Sequence, residues 1–116
     1  MTSLHDYHIT HATDNICEGE VALITDNDVD STLIEFARAL IDAVIRDGSG
    51  MPKLSSFTFE RLKLEVTGVV YGQAYLERRG NTLHHLKYKI LDSSGVPVAS
   101  GMSTTHLKQV VVYQTI

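Results

Sequence analysis

Between Val69 and His106 the chain carries three consecutive strand patterns joined by two short glycine-containing turns. The turns are Arg79-Gly80-Asn81 and Asp92-Ser93-Ser94-Gly95. Connections this short force antiparallel neighbours, because parallel strands need a long crossover. Upstream, only Asp30 to Arg46 reads as a strong helix. One helix ahead of an antiparallel meander, within 116 residues, leaves few folds open.

The helix pattern places Leu33, Ile34, Phe36, Ala37, Leu40, Ile41, Val44 and Ile45 at helical spacing. Glu35, Arg38, Asp42 and Arg46 fall on the other side, where Asp42 is four residues from each arginine. Asp30 or Ser31 serves as N-cap and begins a helix near Ser31. Asp47-Gly48-Ser49-Gly50 ends it, with Gly48 suited to the left-handed residue after the last turn.

Glu18 to Thr25 forms a short strand ahead of the helix. Residues 1–15 read as a loose arm or a short lead-in helix. Ser56 to Val66 alternates as a strand, with a slip at Glu60-Arg61 that marks a bulge, and Thr67-Gly68 turns the chain. In the next strand Val70, Gly72, Ala74 and Leu76 share one face. Gly72 and Ala74 make its centre small enough for a helix to lie close. The following strand, Thr82 to Asp92, sets Leu86, Tyr88 and Ile90 against Lys87 and Lys89. The last runs from Val96 to about His106, and the β-prone tail Lys108–Ile116 extends it or adds an edge. The expectation is an α+β domain over residues 1–116, one long helix wrapped by a curved antiparallel sheet of about five strands.

A formal net charge of -4 argues against nucleic acid as a partner, since such proteins carry a basic excess. No apolar run is long enough to span a bilayer, and the first ten residues lack the basic and apolar regions of a secretory signal. Cys17 is the one cysteine, so no internal disulfide can form, and a reducing cytoplasmic setting is expected.

Two segments carry a family resemblance. Tyr75 to Asn81 ends a strand in a basic-glycine turn. Tyr88 to Gly101 runs strand, Asp-x-x-Gly turn, and a strand reading Val-Pro-Val-Ala-Ser-Gly. With the element order of residues 18–106, these resemble the hotdog-fold superfamily and, within it, the acyl-CoA thioesterases. The resemblance implies hydrolysis of an acyl-CoA or acyl-carrier thioester, a homodimer or homotetramer, and a pocket between subunits beside the helix N-terminus. It implies no cofactor, since coenzyme A enters as part of the substrate, and no metal.

It also points to site residues. In the 4-hydroxybenzoyl-CoA thioesterase type an Asp-x-Asp segment precedes the helix. Asp26-Asn27-Asp28 stands there, and Asp28 is the matching carboxylate; the family's following glycine is Ser31 here. The phenylacetate-pathway type carries its carboxylate within the helix, which Ala39-Leu40-Ile41-Asp42-Ala43 resembles. Its His-Gly-Gly is replaced by Leu33-Ile34-Glu35. Asp28 is thus the favoured general base or nucleophile, with Glu35 and Asp42 in reserve. Arg78, Arg79, Gly80 and Asn81 form the turn that would hold coenzyme A phosphates.

Each candidate has a structural alternative. Asp28 suits a helix cap, Glu35 and Asp42 a charged stripe, and Arg78 and Arg79 a solvated hairpin end. A non-catalytic module binding an acyl thioester or a protein partner is the second functional reading. A hotdog dehydratase, using a histidine from the pair His84-His85, is the third. His5, His8 and His11 recur every three residues and on a helix would form a ridge able to bind zinc. Cys17 has no basic neighbour and reads as structural.

Overall fold

The computed structural model describes residues 7–13, 15–23, 28–45, 52–80 and 83–107. Its elements are β1 (Tyr7–Ala12), β2 (Ile16–Leu23), α1 (Val29–Ile45), β3 (Pro52–Phe57), β4 (Glu60–Arg61), β5 (Gly68–Arg79), β6 (Leu83–Leu91) and β7 (Pro97–Leu107). The strands form one antiparallel sheet in the order β1-β2-β5-β6-β7-β3, with β4 also on β7. One long helix against a large antiparallel sheet is the architecture expected. Among the described residues the sheet has seven strands, however, where about five were anticipated.

The helix lies across β2, β5 and β6. Leu33, Phe36, Ala37, Leu40, Ile41 and Val44 are buried against Cys17, Val21, Val70, Ala74, Leu86 and Ile90. Burying side chains such as Phe36 and Leu40 contributes about 1.5–3 kcal/mol each. The approach is close because Gly19 pairs with Gly72 beneath the helix. A Cβ on Gly72 would lie 2.5 Å from Leu40 Cδ1 and 2.6 Å from Phe36 Cε2. The small centre foreseen on this strand is therefore where the helix rests.

Three sequence expectations change. Residues 7–12 are not a loose arm: they pair with β2 from Tyr7↔Val21 to Ala12↔Cys17. Five of the six are exposed, so hydrophobic alternation gives no sign of this edge strand. The helix starts at Val29, because Asp28 rather than Asp30 or Ser31 caps it. The strand expected over 56–66 breaks after Phe57, before the anticipated slip. Thr58 there spends its N–H and hydroxyl on Met102 of β7, and pairing resumes only for Glu60–Arg61. Leu62 and Leu64 beyond them are 48% and 90% exposed, and of the three apolar residues that ended the alternation only Val66 is buried. Gly48 and the tail 108–116 lie outside the described residues.

The β6–β7 turn closes as read. Asp92 Oδ1 accepts from the N–H groups of Ser94 (2.8 Å) and Val96 (2.9 Å), and Gly95 takes a φ of 82°. Among the described residues no helix is long and apolar enough to cross a membrane.

Candidate active site

The helix N-terminus presents amide donors that have no intrahelical acceptor. Asp28 sits there as the cap. Its Oδ1 accepts from Asp30 N at 3.0 Å and its Oδ2 from the Ser31 hydroxyl at 3.1 Å. Its backbone carbonyl accepts from Thr32 N, closing the first turn. The carboxylate is exposed and oriented, with lone pairs remaining on both oxygens.

Arg61 ties this helix end to the sheet. Its Nη1 donates to Asp30 Oδ1, its Nε to Lys63 O (2.6 Å) and its Nη2 to Leu64 O (2.7 Å). Lys63 in turn donates to Asp92 Oδ2 at 2.6 Å. That ammonium, with the Val96 and Ser94 amides, holds the Asp92 carboxyl below the usual carboxylate range. Helix start, β4 and the β6–β7 turn thus meet at one end of the sheet. The sequence gives Arg61 only a place in a bulge and Lys63 no role, because each reads as an ordinary strand charge.

The other candidates lie apart. Glu35 and Asp42 are exposed on α1, seven and fourteen residues beyond Asp28. They continue its helical stripe at roughly 10 Å intervals, too far to act on one atom with it. Arg78 and Arg79 are exposed at the far end of β5, opposite His85 and His84. Arg61 lies opposite Ala99, which lies opposite Ile90. From Ile90 to His85 is five residues, roughly 17 Å of strand. Within one chain, then, the carboxylate and the basic turn stand at opposite ends. Gly80 N closes that turn on Leu83 O at 3.0 Å; Asn81 lies outside the described residues.

His84 is buried on the helix side of the sheet and His85 is half-buried on the other, as the alternation implies. His8 and His11 stand on a strand rather than a helical ridge, and His5 is outside the described residues. Among the described residues no cluster could hold a metal ion. Cys17 is fully buried; burial first, and the neighbouring Glu18 charge second, push its thiol up.

Known structures share this arrangement almost end to end. A hypothetical thioesterase from Streptococcus pneumoniae, solved with coenzyme A, aligns over 93% of this chain and 93% of its own, with a TM-score of 0.82 and 13% identity. The chain has the hotdog fold. A second hotdog structure, from Streptococcus mutans with acetyl-CoA bound, covers 92% of both chains at a TM-score of 0.80 and 8% identity. The Escherichia coli PaaI protein, from the phenylacetic acid degradation operon, covers 87% of this chain and 78% of its own at 0.79 and 12%. No protein-family model and no curated protein matches the sequence.

Proposed function

We propose that this hotdog protein hydrolyses acyl-CoA thioesters at a site shared by two subunits, with Asp28 as the general base. The supporting observation is the placement of Asp28 at the helix N-terminus, beside the sheet edge that β3 and β4 form among the described residues. Water adds to the thioester carbonyl while Asp28 takes its proton. The helix amides stabilise the oxyanion, the C–S bond breaks, and the thiolate leaves with a proton. The similar structures solved with coenzyme A and acetyl-CoA favour this substrate class.

A two-fold pairing along the β3–β4 edge accounts for the separated candidates. It reverses strand direction, so the partner subunit's Arg78 and Arg79 come to the end where Asp28 stands. An extended coenzyme A could then reach from those guanidiniums to Asp28. The pairing also removes an exposed sheet edge.

A mixing experiment tests the shared site. Asp28→Asn and Arg78→Ala/Arg79→Ala homodimers should each release little thiol from acyl-CoA. Mixed and re-annealed one to one, they should recover roughly a quarter of wild-type activity, since half the dimers regain one of two sites. No recovery would reject the shared site. A wild type inactive on short, medium and aromatic acyl-CoAs would reject the hydrolase.

One observation favours a second reading. Both oxygens of Asp28 already serve the helix cap, which is what a non-catalytic hotdog module binding an acyl thioester would show.

A further inference from the structure

Asp28 stands on the part of the helix that packing grips least. Asp28, Asp30 and Ser31 are exposed and Val29 is half-buried; burial against the sheet begins at Thr32 and Leu33. The Asp28 carboxylate therefore takes its orientation from local bonds. One oxygen accepts from Asp30 N and the other from the Ser31 hydroxyl, so the carboxylate follows wherever those two residues are held. A general base works within hydrogen-bond reach of the proton it takes, and a small displacement is costly.

Arg61 holds this helix start, and Arg61 is itself fixed at both ends. Its backbone pairs with the fully buried Ala99 of β7. The next two residues both donate to Val98 O, Leu62 N at 2.7 Å and Lys63 N at 3.3 Å. Its guanidinium is pinned by Lys63 O through Nε (2.6 Å) and by Leu64 O through Nη2 (2.7 Å). Nη1 is then aimed at Asp30 Oδ1. A planar fork held by two carbonyls presents its third donor in one direction, which a flexible ammonium does not. The contacts run without a gap from the buried centre of β7 through Arg61 to the Asp30 carboxylate, and through the Asp30 N–H to Asp28.

We propose that Arg61 is a positioning residue for the hydrolysis: by holding Asp30 it sets the Asp28 carboxylate against the reacting water. The proposal rests on Asp28 as the general base. The ion pair is poorly placed to stabilise the fold, because the Asp30 side chain is 54% exposed and that of Arg61 21%. Pairs this open to water add little to folding, so the effect of this one belongs to turnover. Lys63 provides the contrast. It is a cation at the same end of the sheet, but its ammonium goes to Asp92 of the β6–β7 turn and stands outside the line of contacts to Asp28.

Steady-state kinetics on an acyl-CoA that the wild type hydrolyses test it, with folding checked by circular dichroism. Arg61→Ala should lower kcat roughly 10- to 100-fold, the scale of a misplaced catalytic group, with KM nearly unchanged. Asp30→Asn keeps the two carbonyl bonds of Arg61, so it tests the same link however Arg61→Ala folds, and it should lose a similar factor. The double variant Arg61→Ala/Asp30→Asn should lose no more than either change alone. Added to Asp28→Asn, Arg61→Ala should lower kcat no further, and Lys63→Ala should leave kcat as in wild type. Full kcat in Asp30→Asn would overturn the proposal. So would a rise in KM alone, an equal loss in Lys63→Ala, or an Arg61→Ala loss that persists undiminished in Asp28→Asn. The two readings fail differently. Full activity in Asp28→Asn removes the general base and this proposal with it, whereas a dead Asp28→Asn beside fully active Arg61→Ala and Asp30→Asn removes this proposal alone.

Discussion

Gly19 stands directly opposite Gly72 across the β2–β5 ladder, and their two absent side chains form the slot that Phe36 and Leu40 of the helix fill. This pair sets the distance between helix and sheet. It thereby sets how Asp28, at the head of the helix, sits relative to the sheet end.

Gly72→Ala should therefore lower stability by about 1–3 kcal/mol through overpacking, measured by urea denaturation. Gly101→Ala should cost more. Its added Cβ would meet the Thr58 backbone carbonyl, which cannot rotate away as a leucine side chain can. Phe36→Leu combined with Gly72→Ala should lose less than the two single changes summed. Additive losses would show that the slot is not the cause.

How much of this was legible follows from the physics of each segment. The meander from β5 to β7 was readable because buried faces impose a period of two and its turns carry Gly and Asp. The strand β1 was not, because an edge strand with both faces exposed carries no such period. The Thr58 break was hidden for a different reason: the interruption depends on what β7 offers, and Thr58 fits an ordinary strand as well. Asp28 could be placed before the helix by resemblance. That it, among several acids, is the cap was not legible, since Asp30 is an equally good cap by type and is instead paired with Arg61. The opposite ends occupied by Asp28 and Arg79 belong to the strand register, which no single segment reveals.

The Tyr88 hydroxyl donates to Thr58 O at 2.6 Å, and its ring stacks on Phe57 at 5.4 Å. Tyr88→Phe leaves the carbonyl without that donor and should cost about 1–2 kcal/mol. Burial pushes the Tyr88 phenol well above its ordinary value. A phenol raised in the folded state adds stability below its unfolded pKa of about 10 and loses it as pH rises towards the folded value. The stability gap between wild type and Tyr88→Phe should narrow above about pH 10 in alkaline denaturation. A constant gap would contradict the assignment.

Asp92 gives the opposite sign. The Lys63 hydrogen bond, more than the Val96 and Ser94 amides, lowers its pKa in the folded state. Its stabilising effect is present above the unfolded carboxylate value of about 3.9 and disappears as pH falls through the lower folded value. Wild type should lose Tm on acidification by more than Asp92→Asn, and the two should converge at low pH. Parallel curves would show that the Asp92 charge contributes nothing.

The most direct measurement is thiol release from acyl-CoA by wild type and Asp28→Asn. Asparagine caps a helix about as well as aspartate, so the substitution removes the base and keeps the fold. The account predicts turnover by wild type and a loss of about 100-fold or more in Asp28→Asn, in keeping with the loss of a general base. Full activity in Asp28→Asn, with folding unchanged, would contradict it and leave Asp28 as a helix cap alone.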